Sequence, residues 1–243
     1  MSAASRDGDR IWELMGRLFK THPWHGVRPG PEAPEVVTAY VEIVPADAVK
    51  YEVDKVTGHL KVDRPQQFSN VCPSLYGFVP QTFSGERVAE LARRRTGRDR
   101  LTGDGDPLDI CVLSEKSFSH GDFLLRAVPI GGLRVIDAAE ADDKIVAVLA
   151  GDVAYGQVED LAELPAPLVE RLKHYFLTYK LAPALAAGAP REVTVAGTYG
   201  RDEAREVIRR AMADYRSRFP DLREDLLAAL GGDRTAGEPG SSS

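Results

Sequence analysis

The chain has 243 residues, 43% of them hydrophobic and 28% charged, which is ordinary for a soluble globular protein with one sizeable domain. Its formal net charge of -6 argues against binding to bulk nucleic acid or to an anionic membrane surface. Two cysteines cannot build a disulfide framework, no apolar run reaches transmembrane length, and residues 1–10 lack the apolar core of a signal peptide, so we expect a cytoplasmic location.

Residues 1–35 predict an N-terminal helix followed by a proline-rich arm. Asp9 is a suitable cap for a helix over about 10–20, where apolar residues recur at helical spacing. In the arm, His22 and His25 have no cysteine or carboxylate beside them at metal-ligand spacing, so we interpret them as structural or surface residues. We expect the arm to wrap around the domain or a neighbouring subunit.

A run of short, β-branched segments predicts a barrel domain over 36–220. The predicted strands cover 36–44, 50–53, 60–62, 75–80, 110–113, 123–130, 133–136, 145–150 and 192–195. Gly131 and Gly132 separate two of these strands and are typical of a kink or bulge. Helices are expected over about 84–95, 165–181 and after Gly200, with a short last helix and a flexible tail over 221–243. The simplest arrangement is a mainly β fold in which helices pack on the outside of one small barrel.

The segment 81–100 interrupts the strands with a helix-compatible stretch that contains Arg93, Arg94 and Arg95. Three consecutive residues spread over about 200° around a helix, at roughly 100° per step, so these arginines cannot all face one cavity. We therefore expect this helical insert to be a surface decoration or a subunit contact rather than a lid over a site.

An acidic hexapeptide, 104–109, contains Asp104, Asp106 and Asp109 and no basic residue. Carboxylates held this close raise one another's pKa unless a cation lies between them. Mg²⁺ suits this role because it takes oxygen ligands from a few carboxylates and keeps bound waters. A solvated acidic turn is the alternative. An EF-hand loop fits poorly, because Leu108 stands where that loop needs an oxygen ligand.

A second acidic loop, 137–143, lies between two predicted strands. If both acidic loops open at the same rim, about five carboxylates face one cavity, where two metal ions can clamp a phosphoryl group. Cationic residues would then hold the rest of the substrate, although each of them alone is also consistent with an ordinary surface charge. The candidates are Lys50, on the same strand face as Glu52, with Arg64, Lys144 and Lys180.

Seven blocks in sequence order resemble the family I soluble inorganic pyrophosphatases. They are 41–45, 50–55, 62–64, 75–78, 104–109, 137–144 and 174–180, and the resemblance extends over roughly 36–218. It implies a five-stranded OB-like β-barrel with α-helices packed outside. The implied reaction is Mg²⁺-dependent hydrolysis of pyrophosphate to two orthophosphates. The implied assembly is a homo-oligomer, whose size the sequence leaves open.

The resemblance also implies roles for individual residues. The expected general base, which activates the attacking water, is Asp106. The expected direct metal ligands are Asp104, Asp109 and Asp142, with Asp137 holding a further ion. The residues expected to bind phosphate are Lys50, Arg64, Tyr76, Tyr179 and Lys180. The residues expected to complete the rim are Glu42, Glu52 and Lys144.

Cys72 departs from the family pattern, because many members have a tyrosine there. We interpret it as a small apolar filler, and the alternative is a redox-sensitive thiol beside the site. Two alternative functions remain open at this point: a non-catalytic phosphate- or nucleotide-binding module on the same barrel, and a metal-dependent phosphatase for organic phosphates. The binding module predicts aromatic and basic residues along the barrel, whereas aromatics are 7% of the chain and the motif loops are acidic.

Overall fold

The computed structural model describes residues 19–66, 69–180 and 193–219. Most of the predicted N-terminal helix lies outside these ranges, and so do the predicted last helix and tail. The barrel and the cavity belong to the unit Thr21–Tyr215. Within the described residues, none of the helices has the length and apolar character needed to cross a membrane.

The described residues contain ten strands and three α-helices. The strands are β1 (Val37–Ile43), β2 (Val49–Val53), β3 (Leu60–Pro65), β4 (Leu75–Phe78), β5 (Thr102–Gly103), β6 (Asp109–Leu113), β7 (Phe123–Asp137), β8 (Glu140–Ala141), β9 (Lys144–Leu149) and β10 (Val193–Gly200). The helices are α1 (Glu86–Thr96), α2 (Ala166–Thr178) and α3 (Arg201–Arg218), and a 3-10 turn covers Leu161–Glu163.

Five strands close into a ring in the order β1, β4, β6, β9 and β7. The ring closes because the long strand β7 pairs with β9 along one part of its length and with β1 along another. Strands β6 and β9 run parallel, and the other neighbours in the ring are antiparallel. This arrangement confirms the expected OB-like barrel with helices outside. Strands β2 and β3 form a separate hairpin sheet.

The expectation of two strands at 123–130 and 133–136 is wrong, because β7 is one strand of 15 residues. The predicted irregularity is present as a shift of register between Pro129 and Gly131 in the pairing with β9. Glycine is required here by close packing, since a Cβ on Gly131 would lie 2.5 Å from the carbonyl oxygen of Tyr199 on β10. Gly131 thus weakens the local β-propensity, but it allows β10 to pack closely against β7.

Helix α1 is part of the core, which corrects the interpretation of the segment 81–100 as a surface decoration. Val88 and Leu91 are buried in the same apolar cluster as Val207 and Ile208 of α3. Arg93, Arg94 and Arg95 do not all face the cavity, as expected, and none of them lines it; Arg95 donates to Glu203 of α3 at 3.1 Å. The insert is therefore part of the core rather than a surface decoration, while its role as a subunit contact, and not as a lid, stays a prediction.

The N-terminus of α1 is capped by a residue from another helix. Its own N-cap residue, Gly85, makes no side-chain capping bond. The buried carboxylate of Asp214 in α3 instead accepts from the backbone N–H groups of Arg87 at 3.0 Å and Val88 at 3.2 Å. A negative charge at this position satisfies orphan donors and complements the helix dipole, so α1 depends on α3 for its stability.

Candidate active site

A cavity of about 730 Å³ lies where the two acidic loops, the β2–β3 hairpin and the C-terminal end of α2 meet. All the site residues named from the sequence line it. They are Glu42, Lys50, Glu52, Arg64, Tyr76, Asp104, Asp106, Asp109, Asp137, Asp142, Lys144, Tyr179 and Lys180. Residues far apart in the chain are thus brought together, while their individual roles remain proposals.

The bend of the first acidic loop is fixed by the chain that leads into α1. Gly105 has a φ of 77°, and the N–H of Asp106 donates to the Asp104 carboxylate at 2.9 Å. Ser84 pairs with this loop through its backbone: its N–H donates to the Asp106 carbonyl at 2.8 Å, and its carbonyl accepts from Gly105 at 3.1 Å. A Cβ at Gly103 would lie 2.0 Å from that Ser84 oxygen, so only glycine fits.

Lys144 is the cation at the centre of the acidic cluster. The parallel pairing of β6 with β9 places it opposite Asp109, and its ammonium group contacts the carboxylates of both Asp109 and Asp142. Its exposed fraction is only 1%. Burial alone would lower the pKa of Lys144, but the two carboxylates outweigh it and hold the pKa well above its usual value.

The carboxyl groups around Lys144 respond differently to this shared cation. Burial and the charge of Asp142 raise the pKa of Asp104 well above its usual range. Burial also raises the pKa of Asp109, despite Lys144 and a 2.6 Å hydrogen bond from the Tyr76 hydroxyl. Asp142 is the exception, because Lys144 overcomes the effect of burial and lowers its pKa. The ammonium group of Lys144 thus does not balance the negative charge that these three carboxyl groups can carry.

The second acidic loop presents some of its carboxylates to the cavity and buries another. Asp137 accepts from the Lys180 ammonium at 2.5 Å. Asp143 points to the other side, where it accepts from Arg134 at 2.7 Å, and burial raises its pKa to about 7. Arg134 also donates to Glu203 of α3 at 2.7 Å. The loop is therefore anchored from behind by a buried ion-pair network.

The β2–β3 hairpin supplies cations to the opposite side of the cavity. Lys50 and Glu52 share a strand face, as predicted, and Lys50 donates to Glu52 at 3.1 Å and to Asp63 at 2.8 Å. Arg64 pairs with the same Asp63 carboxylate at 2.6 Å. Glu42 connects the hairpin to β1, since it accepts from the Val53 N–H at 2.6 Å. Burial raises the pKa of Glu42 to about 8.

The C-terminal end of α2 carries the last pair of predicted residues. Tyr179 is the C-cap residue of this helix, and Lys180 follows it. Two cations lie close to the Tyr179 ring, with the Arg64 guanidinium 5.7 Å and the Lys180 ammonium 5.2 Å from its centroid. These contacts place a phenol and two positive charges at one end of the cavity.

Seven further residues line the cavity and were not predicted from the sequence: Trp24, Val53, Lys55, Asp63, Phe78, Pro107 and Glu140. Lys55, in the hairpin turn, forms an ion pair with Asp106. Asp63 was detectable in principle, because it is adjacent to Arg64 within a recognised block. Trp24 belongs to the N-terminal arm, and no local pattern connects that arm to the acidic loops.

The charges of the cavity suit a hard divalent cation. Its lining includes nine carboxyl groups and five cationic side chains, and oxygen-rich, negatively charged sites are those that Mg²⁺ and similar ions prefer. Burial, and after it the charge of Asp142, raises the pKa of Asp104, and a bound cation would oppose both effects. In the described residues no three carboxylate, histidine or cysteine side chains already converge as metal ligands, and the Lys144 ammonium lies between two of the candidates.

The fold and the cavity define an OB-like barrel protein whose acidic cavity, rimmed with cations, suits a strongly charged anion accompanied by divalent cations. A family model described as inorganic pyrophosphatase matches residues 39–216. The chain belongs to the inorganic pyrophosphatase family.

Individual relatives agree with this assignment. The chain is 50% identical over 203 residues to the inorganic pyrophosphatase of Chlamydia trachomatis serovar L2, which covers 83% of this chain and 97% of that protein. It is 38% identical to the soluble inorganic pyrophosphatase of Zea mays, with 83% of each chain covered. The crystal structure of inorganic pyrophosphatase from Thermus thermophilus matches with a TM-score of 0.66 at 30% identity, covering 81% of this chain and 99% of that one.

Proposed function

We propose that this protein hydrolyses inorganic pyrophosphate to two orthophosphates with Mg²⁺ as the cofactor. The observation that carries the proposal is the meeting of both acidic loops with five cationic side chains in one cavity of a chain from this family. A divalent metal cofactor is general to the family, and the choice of Mg²⁺ rests on the carboxylate-rich donor set.

The proposed metal ligands are Asp104, Asp109 and Asp142, with Asp137 available to a further ion. Carboxylate oxygens are hard donors, and the cluster that they form around Lys144 has more negative than positive charge. Bound Mg²⁺ would supply that missing charge and lower the pKa of the water that attacks phosphorus.

Asp106 is the proposed general base that takes the proton from this water. Its side chain is 46% exposed and forms an ion pair with the long side chain of Lys55. This pair lies outside the buried carboxylate cluster around Lys144. A carboxylate in that position can exchange a proton with the cavity and with solvent. The buried carboxylates around Lys144 are instead held in fixed ionic contacts.

The proposed ligands of the phosphate groups lie on two sides of the cavity. Lys50 and Arg64 come from the hairpin, and Lys180 follows α2. Their charges would neutralise both the phosphorus under attack and the departing phosphate. Tyr76 and Tyr179 can donate hydrogen bonds without adding charge, and Glu42, Glu52 and Lys144 complete the rim.

A phosphate-release assay tests the proposal directly. We expect release from pyrophosphate in Mg²⁺, at most slow release from ATP or sugar phosphates, and loss of activity when EDTA removes the metal, because the lysines of the cavity neutralise only part of the negative charge of the acidic loops. Ca²⁺ is expected to inhibit, since its longer and less regular coordination would misplace the attacking water.

Full hydrolysis in metal-free buffer, or faster release from an organic phosphate, would contradict this prediction. Re-addition of Mg²⁺ after EDTA is the control, because it distinguishes metal removal from irreversible unfolding. The assay also separates the enzyme from the non-catalytic binding module considered above, which would release no phosphate from any substrate.

We further infer that the protein is a cytoplasmic homo-oligomer without a nucleic-acid or membrane partner. The net charge of -6 supports the lack of a polyanionic partner. The location rests on the sequence features described first, and the assembly rests on the family resemblance.

Cys72 provides a separate prediction. It is fully buried in a cluster with Tyr76 and Tyr175, and burial raises its pKa to about 11, which supports its interpretation as a filler. We expect Cys72→Ser to lower the free energy of unfolding by about 1–3 kcal/mol, since it buries a hydroxyl, and to leave turnover within about threefold. Urea unfolding and steady-state kinetics measure the two effects, with Cys72→Ala as the control. Peroxide inactivation of the wild type that Cys72→Ser abolishes would favour a redox-sensitive thiol instead.

A further inference from the structure

The segment 21–26, which we call the strap, runs beside the cavity and is fixed to the chain before α1. Trp24 forms part of the cavity wall and is 5% exposed. Its indole N–H donates to the carbonyl of Thr82 at 2.8 Å, and its own carbonyl accepts from the N–H of Gln81 at 2.9 Å. The Gln81 side chain donates to the His25 carbonyl at 2.9 Å. These bonds join the strap to the chain that continues into Ser84.

Through Ser84 the strap is connected to the acidic loop that holds Asp106. Ser84 follows Thr82 by two residues and pairs with the backbone of Gly105 and Asp106 at 3.1 and 2.8 Å. The strap therefore has a fixed position relative to the acidic loop, which is itself held by the barrel. Short, hydrogen-bonded connections of this kind resist stretching.

The other side of the strap packs against the turn of the β2–β3 hairpin. A Cβ at Gly58 would lie 2.9 Å from the ring of His22 and 3.0 Å from Cδ of Pro23. Burial lowers the pKa of His22, and the backbone of Lys55, which faces the imidazole, opposes that effect. The strap thus contacts both ends of the turn that carries Lys55.

The hairpin needs such an anchor because it is a two-stranded sheet outside the barrel. Isolated hairpins are marginally stable in water. Glu42 holds the end of β2 next to the turn through the Val53 N–H. Near the tip, the ion pair of Lys55 with Asp106 joins two half-exposed side chains and is weakened by solvent screening. Packing of the strap against Gly58 is a further contact at this end of the hairpin, and it lies on the turn itself.

We propose that the strap sets the distance between the hairpin and the acidic loop, and that Trp24 is a positioning residue for the substrate bound between them. This inference rests on the proposed function, because the hairpin carries Lys50 and Arg64, which are proposed to hold phosphate. Loosening the strap lets these cations move away from the metal-binding carboxylates on β6 and near β9. Substrate binding then weakens, while the carboxylates that support the chemistry keep their places on the barrel.

Gly58→Ala is the sharpest test, and Gly97→Ala is its matched control. Both glycines have left-handed φ values, 74° and 69°, so both alanines introduce similar backbone strain. A Cβ at Gly58 meets the strap, whereas a Cβ at Gly97 has nothing within 4 Å. We expect Gly58→Ala to raise KM for pyrophosphate about tenfold or more, with kcat and the Mg²⁺ activation constant changed by less than about threefold, and Gly97→Ala to leave KM unchanged.

Trp24→Ala provides the second variant and is expected to raise KM for pyrophosphate by a similar factor. Trp24→Phe loses the hydrogen bond to Thr82 but keeps an aromatic ring, so it is expected to raise KM less. If Gly58→Ala and Trp24→Ala lower only the unfolding temperature and leave KM unchanged, the strap is purely structural and the inference is wrong. A fall in kcat with KM unchanged would also overturn it.

Fluorescence gives a readout that does not depend on turnover. The chain has two tryptophans, Trp12 and Trp24, so Trp12→Phe leaves Trp24 as the only indole emitter. We expect inorganic phosphate with Mg²⁺ to change this emission, and the same titration in Trp12→Phe/Gly58→Ala to require about tenfold more phosphate. No change of emission, or equal affinities, would contradict the strap. Failure of the wild type to hydrolyse pyrophosphate would instead overturn the proposed function.

Discussion

Asp106→Asn is expected to reduce kcat by about 10²-fold or more while the protein keeps most of its affinity for Mg²⁺. The expected loss is the usual scale for removal of a general base. The structure separates Asp106 from the other acidic residues, because its half-exposed side chain pairs with Lys55 while Asp109 and Asp142 contact the buried Lys144. An amide at position 106 preserves the size of the side chain but cannot accept the proton of the attacking water.

Asp109→Asn is the matched control, because it makes the same chemical change three residues along the loop. It is expected to weaken Mg²⁺ affinity, since Asp109 belongs to the carboxylate cluster. Steady-state kinetics over a range of Mg²⁺ concentrations, together with calorimetric titration of Mg²⁺, distinguish the two effects. If Asp106→Asn lost metal affinity and Asp109→Asn did not, the two roles would be reversed.

Lys144→Met is expected to lower the free energy of unfolding by about 3–5 kcal/mol in metal-free buffer at neutral pH. Breaking a buried ion pair by removal of one partner has this scale, because the remaining charges stay buried without compensation. Lys144 lies between Asp109 and Asp142, and Asp104 is already held with a raised pKa beside them. Methionine fills a similar volume, so the loss would reflect charge more than packing.

The pH dependence of this loss has a definite sign. Without Lys144, the folded-state pKa values of Asp104 and Asp109 rise further above their unfolded values near 4, and the pKa of Asp142 rises because it loses the ion pair that lowers it. Groups of this kind destabilise the folded protein above their unfolded pKa, and the penalty disappears as falling pH protonates them. The difference in unfolding free energy between the wild type and Lys144→Met is therefore expected to shrink from neutral pH towards pH 4.

Mg²⁺ should also reduce the difference, because it supplies positive charge to the same cluster. Urea unfolding at several pH values, with and without Mg²⁺, measures these effects. Lys173→Met is the control: Lys173 is also paired, with Glu170 at 2.7 Å, but that pair lies on the surface of α2 and contributes little. Equal losses in both variants, or a loss that does not depend on pH, would contradict the central role assigned to Lys144.

The barrel and the acidic cavity could be predicted because their signals are local. β-branched segments bounded by turn residues locate most strands, and Asp104, Asp106 and Asp109 stand within one hexapeptide. The sequence predicts two strands in place of β7, because Gly131 lowers the local β-propensity. Packing against β10 decides the conformation of this segment instead.

Long-range contacts account for what the sequence did not indicate. Trp24 and Thr82 are 58 positions apart, and Lys55 and Asp106 are 51 apart, so no periodicity or spacing rule relates them. The role of α1 was misread for a similar reason. Its arginines are conspicuous in the sequence, whereas its apolar face is buried only because Val207 and Ile208 of α3 pack against it. Patterns report which face is apolar, not which element covers it.

The capping of α1 by Asp214 has a consequence for the order of folding during synthesis. The two capping partners are separated by 127 residues, and α1 makes no side-chain cap of its own. The helix that extends from the Ser84 connection is therefore incomplete until α3 has emerged from the ribosome. Because Ser84 fixes the bend at Gly105 and Asp106, we expect the acidic loop to take its final form only after α3 has been synthesised. A nascent chain that ends before α3 carries every acidic residue of the cavity but lacks the last element that holds them in place.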